Sequence, residues 1–120
     1  MNTSNPATPS TLTVFMLVKS LPAWLELPPD ARRDALREHV MPLLERHREH
    51  VRLRLFDVEF YAARITDVWM WEATSHQAYE RLIEALRDTP FWDRYFSIVE
   101  ILPGVEHDHV GEHAAETPAA

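Results

Sequence analysis

Thr66–Ala73 reads TDVWMWEA, and Leu12–Lys19 reads LTVFMLVK. In the first, four large apolar residues, Val68 to Trp71, follow one another without a polar break. In the second only one Thr interrupts the apolar run before the closing Lys. A strand places successive side chains on opposite faces, so runs of this kind expect strands covered on both sides, at the centre of a sheet. Val51–Phe60, VRLRLFDVEF, differs: Val51, Leu53 and Leu55 share one parity, and Arg52 and Arg54 share the other. That alternation is the pattern of a half-buried edge strand. Tyr95–Leu102, YFSIVEIL, supplies a fourth strand, with Pro103-Gly104 as its stop.

Two amphipathic helices separate these strands. Pro28-Pro29-Asp30 opens the first, since proline in the first turn gives up only an amide that would be unpaired there. Its apolar stripe is Leu36, Val40, Leu43, Leu44 and His47. Pro42 falls inside the stripe and predicts a kink, because it removes the bond to the Glu38 carbonyl. Ser75 is a good N-cap for the second helix, whose stripe is Tyr79, Leu82, Ile83 and Leu86. Pro22-Ala-Trp24-Leu25 reads as a single helical turn or a loop held by Trp24, Tyr61–Ile65 as a turn region, and Pro90–Asp93 as a short extra turn. The order is therefore β-α-β-β-α-β. This is the ferredoxin-like α+β arrangement, a four-stranded antiparallel sheet with both helices on one face. Its strand order puts the first and third strands in the centre, as their compositions require.

Two helices cover one face only, yet both central strands are apolar on both. Phe15 and Leu17 cannot share a face with Val14, Met16 and Val18, nor Trp69 and Trp71 with Val68 and Met70. A bare face of that composition expects a partner. A second copy joined sheet to sheet, giving a dimeric α+β barrel, is the expected solution.

Length and composition set the outer bounds. The 120 residues suit a single domain, and the absence of cysteine excludes disulfides, thiolate metal sites and cysteine nucleophiles. A net charge of -7 argues against sequence-independent nucleic-acid binding. No apolar stretch reaches the ~18 residues of a membrane span, and Met1–Thr11 lacks the marks of a signal peptide, so a cytoplasmic location is expected. Met1–Thr11 and Val105–Ala120 read as disordered tails, the second acidic and histidine-containing, around one domain at residues 12–104.

Several segments resemble the darcynin family of small bacterial proteins: TVFMLVK (Thr13–Lys19), PAWLELPPDAR (Pro22–Arg32), LRLFDVEFYAARITDVWMWEA (Leu53–Ala73) and LRDTPFWDRYFSIVEILPGVE (Leu86–Glu106). FDVEFYAARITDVWMWE and TPFWDRYF are the most specific. The resemblance implies no reaction. Pro28 stands where that family's pattern has a Ser or Thr cap. In topology the chain is similar to the dimeric α+β barrel superfamily, which includes cofactorless monooxygenases, muconolactone-isomerase-like enzymes, haem proteins and binding modules. Topology of this kind does not fix function.

The candidate site residues come from two groups. Phe56, Phe60, Trp69, Trp71, Trp92, Tyr95 and Phe96 read first as core and seam packing, and second as the lining of a cavity between the sheets of a dimer for an aromatic or other apolar ligand. Asp57, Glu59, Asp67, Glu72 and Glu100, near Arg52, Arg54 and Arg64, read as an ion-pair network or, beside tryptophans, as general acids or bases. The leading catalytic candidates are Arg54, Asp57, Glu59 and Glu100. The ligand-binding candidates are Phe56, Trp69, Trp71, His76, Trp92 and Tyr95. Among the remaining histidines, His47 continues the first helix stripe, and His39 and His50 read as solvated. His107, His109 and His113, with Asp108 and Glu112, have no preformed geometry, so no metal site is assigned. No strand contains a histidine that could face a haem between two sheets, and no cofactor is expected. The reading is a homodimeric binding protein or cofactorless enzyme for a small apolar or aromatic ligand. The alternative is a non-catalytic dimerisation or structural module.

Overall fold

A computed structural model describes residues 11–107; most of the two tails assigned above lies outside them. The strands are β1 (Leu12–Ser20), β2 (Val51–Asp57), β3 (Asp67–Ala73) and β4 (Phe96–Gly104). They form one antiparallel sheet in the order β2-β3-β1-β4, so β1 and β3 are central and β2 is an edge. The ferredoxin-like α+β fold is thus the one the patterning predicts. Thr11, assigned to the tail, is tied to the sheet: its amide donates to the Ala73 carbonyl at 2.9 Å.

Register assigns the two faces. Met16 pairs with Trp69 and Val14 with Trp71, and Leu55 and Leu53 continue the same rows onto β2. Val14, Met16, Val18, Trp69 and Trp71 are buried, and they form one core with Val40, Leu43, Leu82, Ile83 and Leu86 from the helices. The tryptophans of β3 therefore face the helices. The other parity carries Phe15, Leu17, Val68 and Met70, away from the helical layer.

The helical layer comprises α1 (Pro22–Leu25), α2 (Pro29–Ala35), α3 (Met41–Arg46) and α4 (His76–Leu86). A π-helical segment, Leu36–Val40, joins α2 to α3. It takes the place of the predicted kink. Pro42 has no amide to give to Glu38, and the preceding turn widens so that the Met41 amide donates five residues back, to Leu36. Pro28 caps α2 without a side-chain bond, whereas the Ser75 hydroxyl accepts from the Ala78 amide at 3.0 Å at the start of α4.

The second and fourth strands have other bounds than the sequence predicts. The second strand stops at Asp57 rather than Phe60, because the Asp57 carboxylate accepts the Glu59 amide at 3.0 Å and turns the chain. The fourth begins at Phe96 and runs through Pro103 to Gly104, which pair with Val14 and Thr13. On an outer strand a proline imide can face outward without breaking the ladder, so Pro103 is no stop here.

Candidate functional site

The helices do not reach the far end of β2. Leu53 is half-buried and Leu55 is 60% exposed, although both point to the helical side. Between this uncovered end and the layer of α1, α2 and the π-helical segment lies a cavity of about 280 Å³. Trp69, Trp71 and Leu86 line it, together with Trp24, Phe91 and Phe96. The aromatic rings brace one another: Trp24 lies 5.2 Å from Phe96 and 5.3 Å from Phe91, and Trp69 lies 5.0 Å from Phe96, centroid to centroid. Leu36 and Val40, the two ends of the π-helical segment, also line the cavity, so the distortion set by Pro42 shapes its roof.

Polar groups converge on the same space. Asp57 and Asp67 are register partners at the end of the β2–β3 ladder, and Glu59 follows in the turn; all three line the cavity. Arg32 lines it as well. Its guanidinium donates to the Trp24 carbonyl at 3.2 Å and the Leu25 carbonyl at 3.1 Å, and lies 5.6 Å from the Trp24 ring. It thereby fastens α1 to α2. Burial pushes the Asp67 carboxyl above the ordinary aspartate value; a hydrogen bond from Thr66 opposes this, and the charge of Asp57 adds to it. Trp71 is 1% exposed, and its indole N–H meets no acceptor.

The structure divides the ten leading candidates. Asp57, Glu59, Trp69 and Trp71 come together around the cavity. Arg54, Phe56 and Glu100 belong to the opposite face of the sheet, where Arg54 lies over the Phe56 ring at 5.4 Å and Glu100 pairs with Arg64 at 3.2 Å. They share no site with the cavity carboxylates. His76 is exposed on the first turn of α4, Trp92 lies under Arg87, and Tyr95 packs behind Trp24 and Phe91. His39, read as solvated, is half-buried, with its ring edge-on to Phe91. Reasoning from sequence missed Trp24, Arg32 and Phe91 as lining residues and ranked Asp67 below its neighbours. Parity carried that last signal: Asp67 stands two residues before Trp69 and four before Trp71.

A ferredoxin-like sheet with an aromatic cavity beneath its helices defines a broad class of α+β proteins. Within it the chain belongs to the Darcynin family, a domain of unknown function whose model matches residues 1–120. A Darcynin homologue of Granulibacter bethesdensis is 58% identical over 102 residues, covering 85% of this chain and 82% of that protein. One of Streptomyces avermitilis is 50% identical over 108 residues, covering 90% and 89%. Among solved structures, a mutant chlorite dismutase from Candidatus Nitrospira defluvii superposes with a TM-score of 0.72 at 17% identity, over 92% of this chain and 47% of that one. Another protein named for chlorite dismutase gives 0.70 at 22% identity, over 90% and 48%. The chain spans about half the length of these structures, and the likeness is one of fold. A haem group does not fit the cavity: among the described residues no histidine, methionine or tyrosine lines it, and the polar lining is mainly carboxylate. Among the described residues no helix is long and apolar enough to cross a membrane.

Proposed function

We propose that this protein binds a small, largely apolar or aromatic molecule in the cavity between its sheet and its helices. The observation that carries the reading is the cavity itself, about 280 Å³ walled by tryptophans and phenylalanines. Interiors are close-packed, and a space of this size in an aromatic core is what ligand sites supply. The few polar groups at its end give a ligand orientation. The chemistry they offer is proton exchange, through Asp57, Glu59 and Asp67, with no cofactor invoked.

The test is a thermal-shift and calorimetric screen of small aromatic compounds against the native protein and a Leu36→Trp variant that fills the cavity. Ligands that raise the melting temperature of the native protein and lose that effect in the variant support the reading. Equal shifts in both, with the variant folded, overturn it.

Self-association through the open sheet face is the second part of the proposal. Phe15 and Phe56 are each 40% exposed there and Leu102 is 44% exposed, with Leu17, Val68 and Met70 half-buried between them. A second copy laid sheet to sheet would cover this face and complete a dimeric α+β barrel.

A further inference from the structure

We infer that the cavity takes an organic cation, a protonated or quaternary amine carried on an apolar or aromatic body. The inference rests on the reading of the cavity as a ligand site and names the ligand class.

Charge at the cavity is lopsided. Three carboxylates line it, those of Asp57, Glu59 and Asp67, against one cation, Arg32. Arg32 is committed elsewhere, to two backbone carbonyls and the Trp24 ring. Among the described residues, none of the three acids has an ion-pair partner, although Arg33, Arg37, Arg48, Arg52 and Arg64 all pair with acids in other parts of the fold. Two of the unpaired acids oppose each other directly across a ladder, where like charges destabilise a sheet. A positive charge between them would relieve that repulsion.

The walls suit the same guest. Trp24, Trp69 and Trp71 offer the ring type that attracts cations most strongly. Leu25 and Leu55, both exposed large hydrophobics on the lining, extend the apolar contact for the remainder of the molecule. A bare metal ion is a poor match, because no group of three or more histidines, aspartates and glutamates among the described residues is disposed to hold one. Trp71 adds a second requirement independent of charge. Its indole N–H is buried without an acceptor, and an oxygen acceptor carried on the body of the ligand, apart from its cationic nitrogen, would satisfy it.

Three probes of one shape separate charge from shape: 3-phenylpropylamine, 3-phenylpropan-1-ol and 3-phenylpropanoate, titrated calorimetrically into the full-length protein at neutral pH. The amine is expected to bind about tenfold or more tightly than the alcohol, and the carboxylate more weakly than either. Asp57→Asn and Asp67→Asn should each remove most of the amine's advantage and leave the alcohol unchanged, with circular dichroism confirming that both variants fold. Equal binding of amine and alcohol, or preference for the carboxylate, overturns the cation inference while the cavity remains a ligand site. Failure of all three at millimolar concentration overturns the cavity reading and the inference together.

Discussion

Asp57 and Asp67 stand directly opposite one another at the end of the β2–β3 ladder, both lining the cavity between sheet and helices. Every row further along this ladder on the helical side is apolar, Leu55 with Trp69 and Leu53 with Trp71. The acids therefore close the end of an otherwise greasy channel. Their placement costs stability in the free protein and concentrates negative potential where a ligand would enter.

The cost has a pH signature. Burial, and secondarily the charge of Asp57 against a relieving hydrogen bond from Thr66, raises the Asp67 carboxyl from the 3.8 of a free aspartate. The native state holds this proton to higher pH than the unfolded chain does. Ionisation of Asp67 thus removes stability as pH rises through its native value, and the full stability returns below the unfolded value. Asp67→Asn is expected to gain in melting temperature relative to the native protein as pH rises from about 4 toward neutrality. A constant gap across that range, or one that closes, would show that Asp67 ionises in the fold without penalty.

Trp71 is the largest of the fully buried side chains. Trp71→Ala should lower unfolding free energy by about 3–5 kcal/mol, the range for deleting a large aromatic from a core. Trp71→Phe should cost less than Trp71→Ala, since it keeps a ring and discards the indole N–H that has no acceptor. Urea denaturation of the two variants measures both quantities. A loss below about 1 kcal/mol for Trp71→Ala would mean that the cavity already isolates this side chain from the core.

The two long helical stretches begin differently, and the difference is measurable. Ser75→Ala removes the bond to the Ala78 amide and should cost about 1 kcal/mol. Pro28 supplies no side-chain bond at the start of α2, so Pro28→Ser should raise stability by a few tenths of a kcal/mol up to about 1. Chemical denaturation that shows no loss for the first variant would mean that the start of α4 is held by packing alone.

Much of this architecture was legible in the sequence. The unbroken apolar runs of Leu12–Lys19 and Thr66–Ala73 predicted central strands, and β1 and β3 are central. Alternation in VRLRL predicted an edge strand, and β2 is one. The site was less legible because it depends on register between strands. Arg54, Phe56 and Glu100 look as close to the tryptophans in sequence as Asp57 does, yet one step of parity sends them to the other face. Trp24, Arg32 and Phe91 join the lining from three separate elements through tertiary packing, which local periodicity does not encode. The π-helical segment was legible as a disturbance at Pro42 but not as a widened turn one step earlier.

The open sheet face yields the last prediction. Across β2-β3-β1-β4 it presents the row Arg54–Met70–Phe15–Leu102 and next to it Phe56–Val68–Leu17–Glu100, with Arg52–Glu72 ion-paired at 2.9 Å beyond. Charges lie mainly at the margins and apolar side chains in the middle, the distribution of an interface core with a polar rim. The proposed dimer buries Phe15 near its centre. Phe15→Lys would place an unpaired ammonium there, at a cost no rim contact offsets. Sedimentation of the native protein should give twice the 14.0 kDa chain mass at micromolar concentration, and Phe15→Lys should give the chain mass or aggregate. Lys19 shares this face and is exposed, so Lys19→Ala serves as a control that should remain dimeric. A native protein that sediments at the single-chain mass would leave this face bare in solution and defeat the barrel reading. The cavity beneath the helices would survive that outcome, because every side chain lining it belongs to one chain.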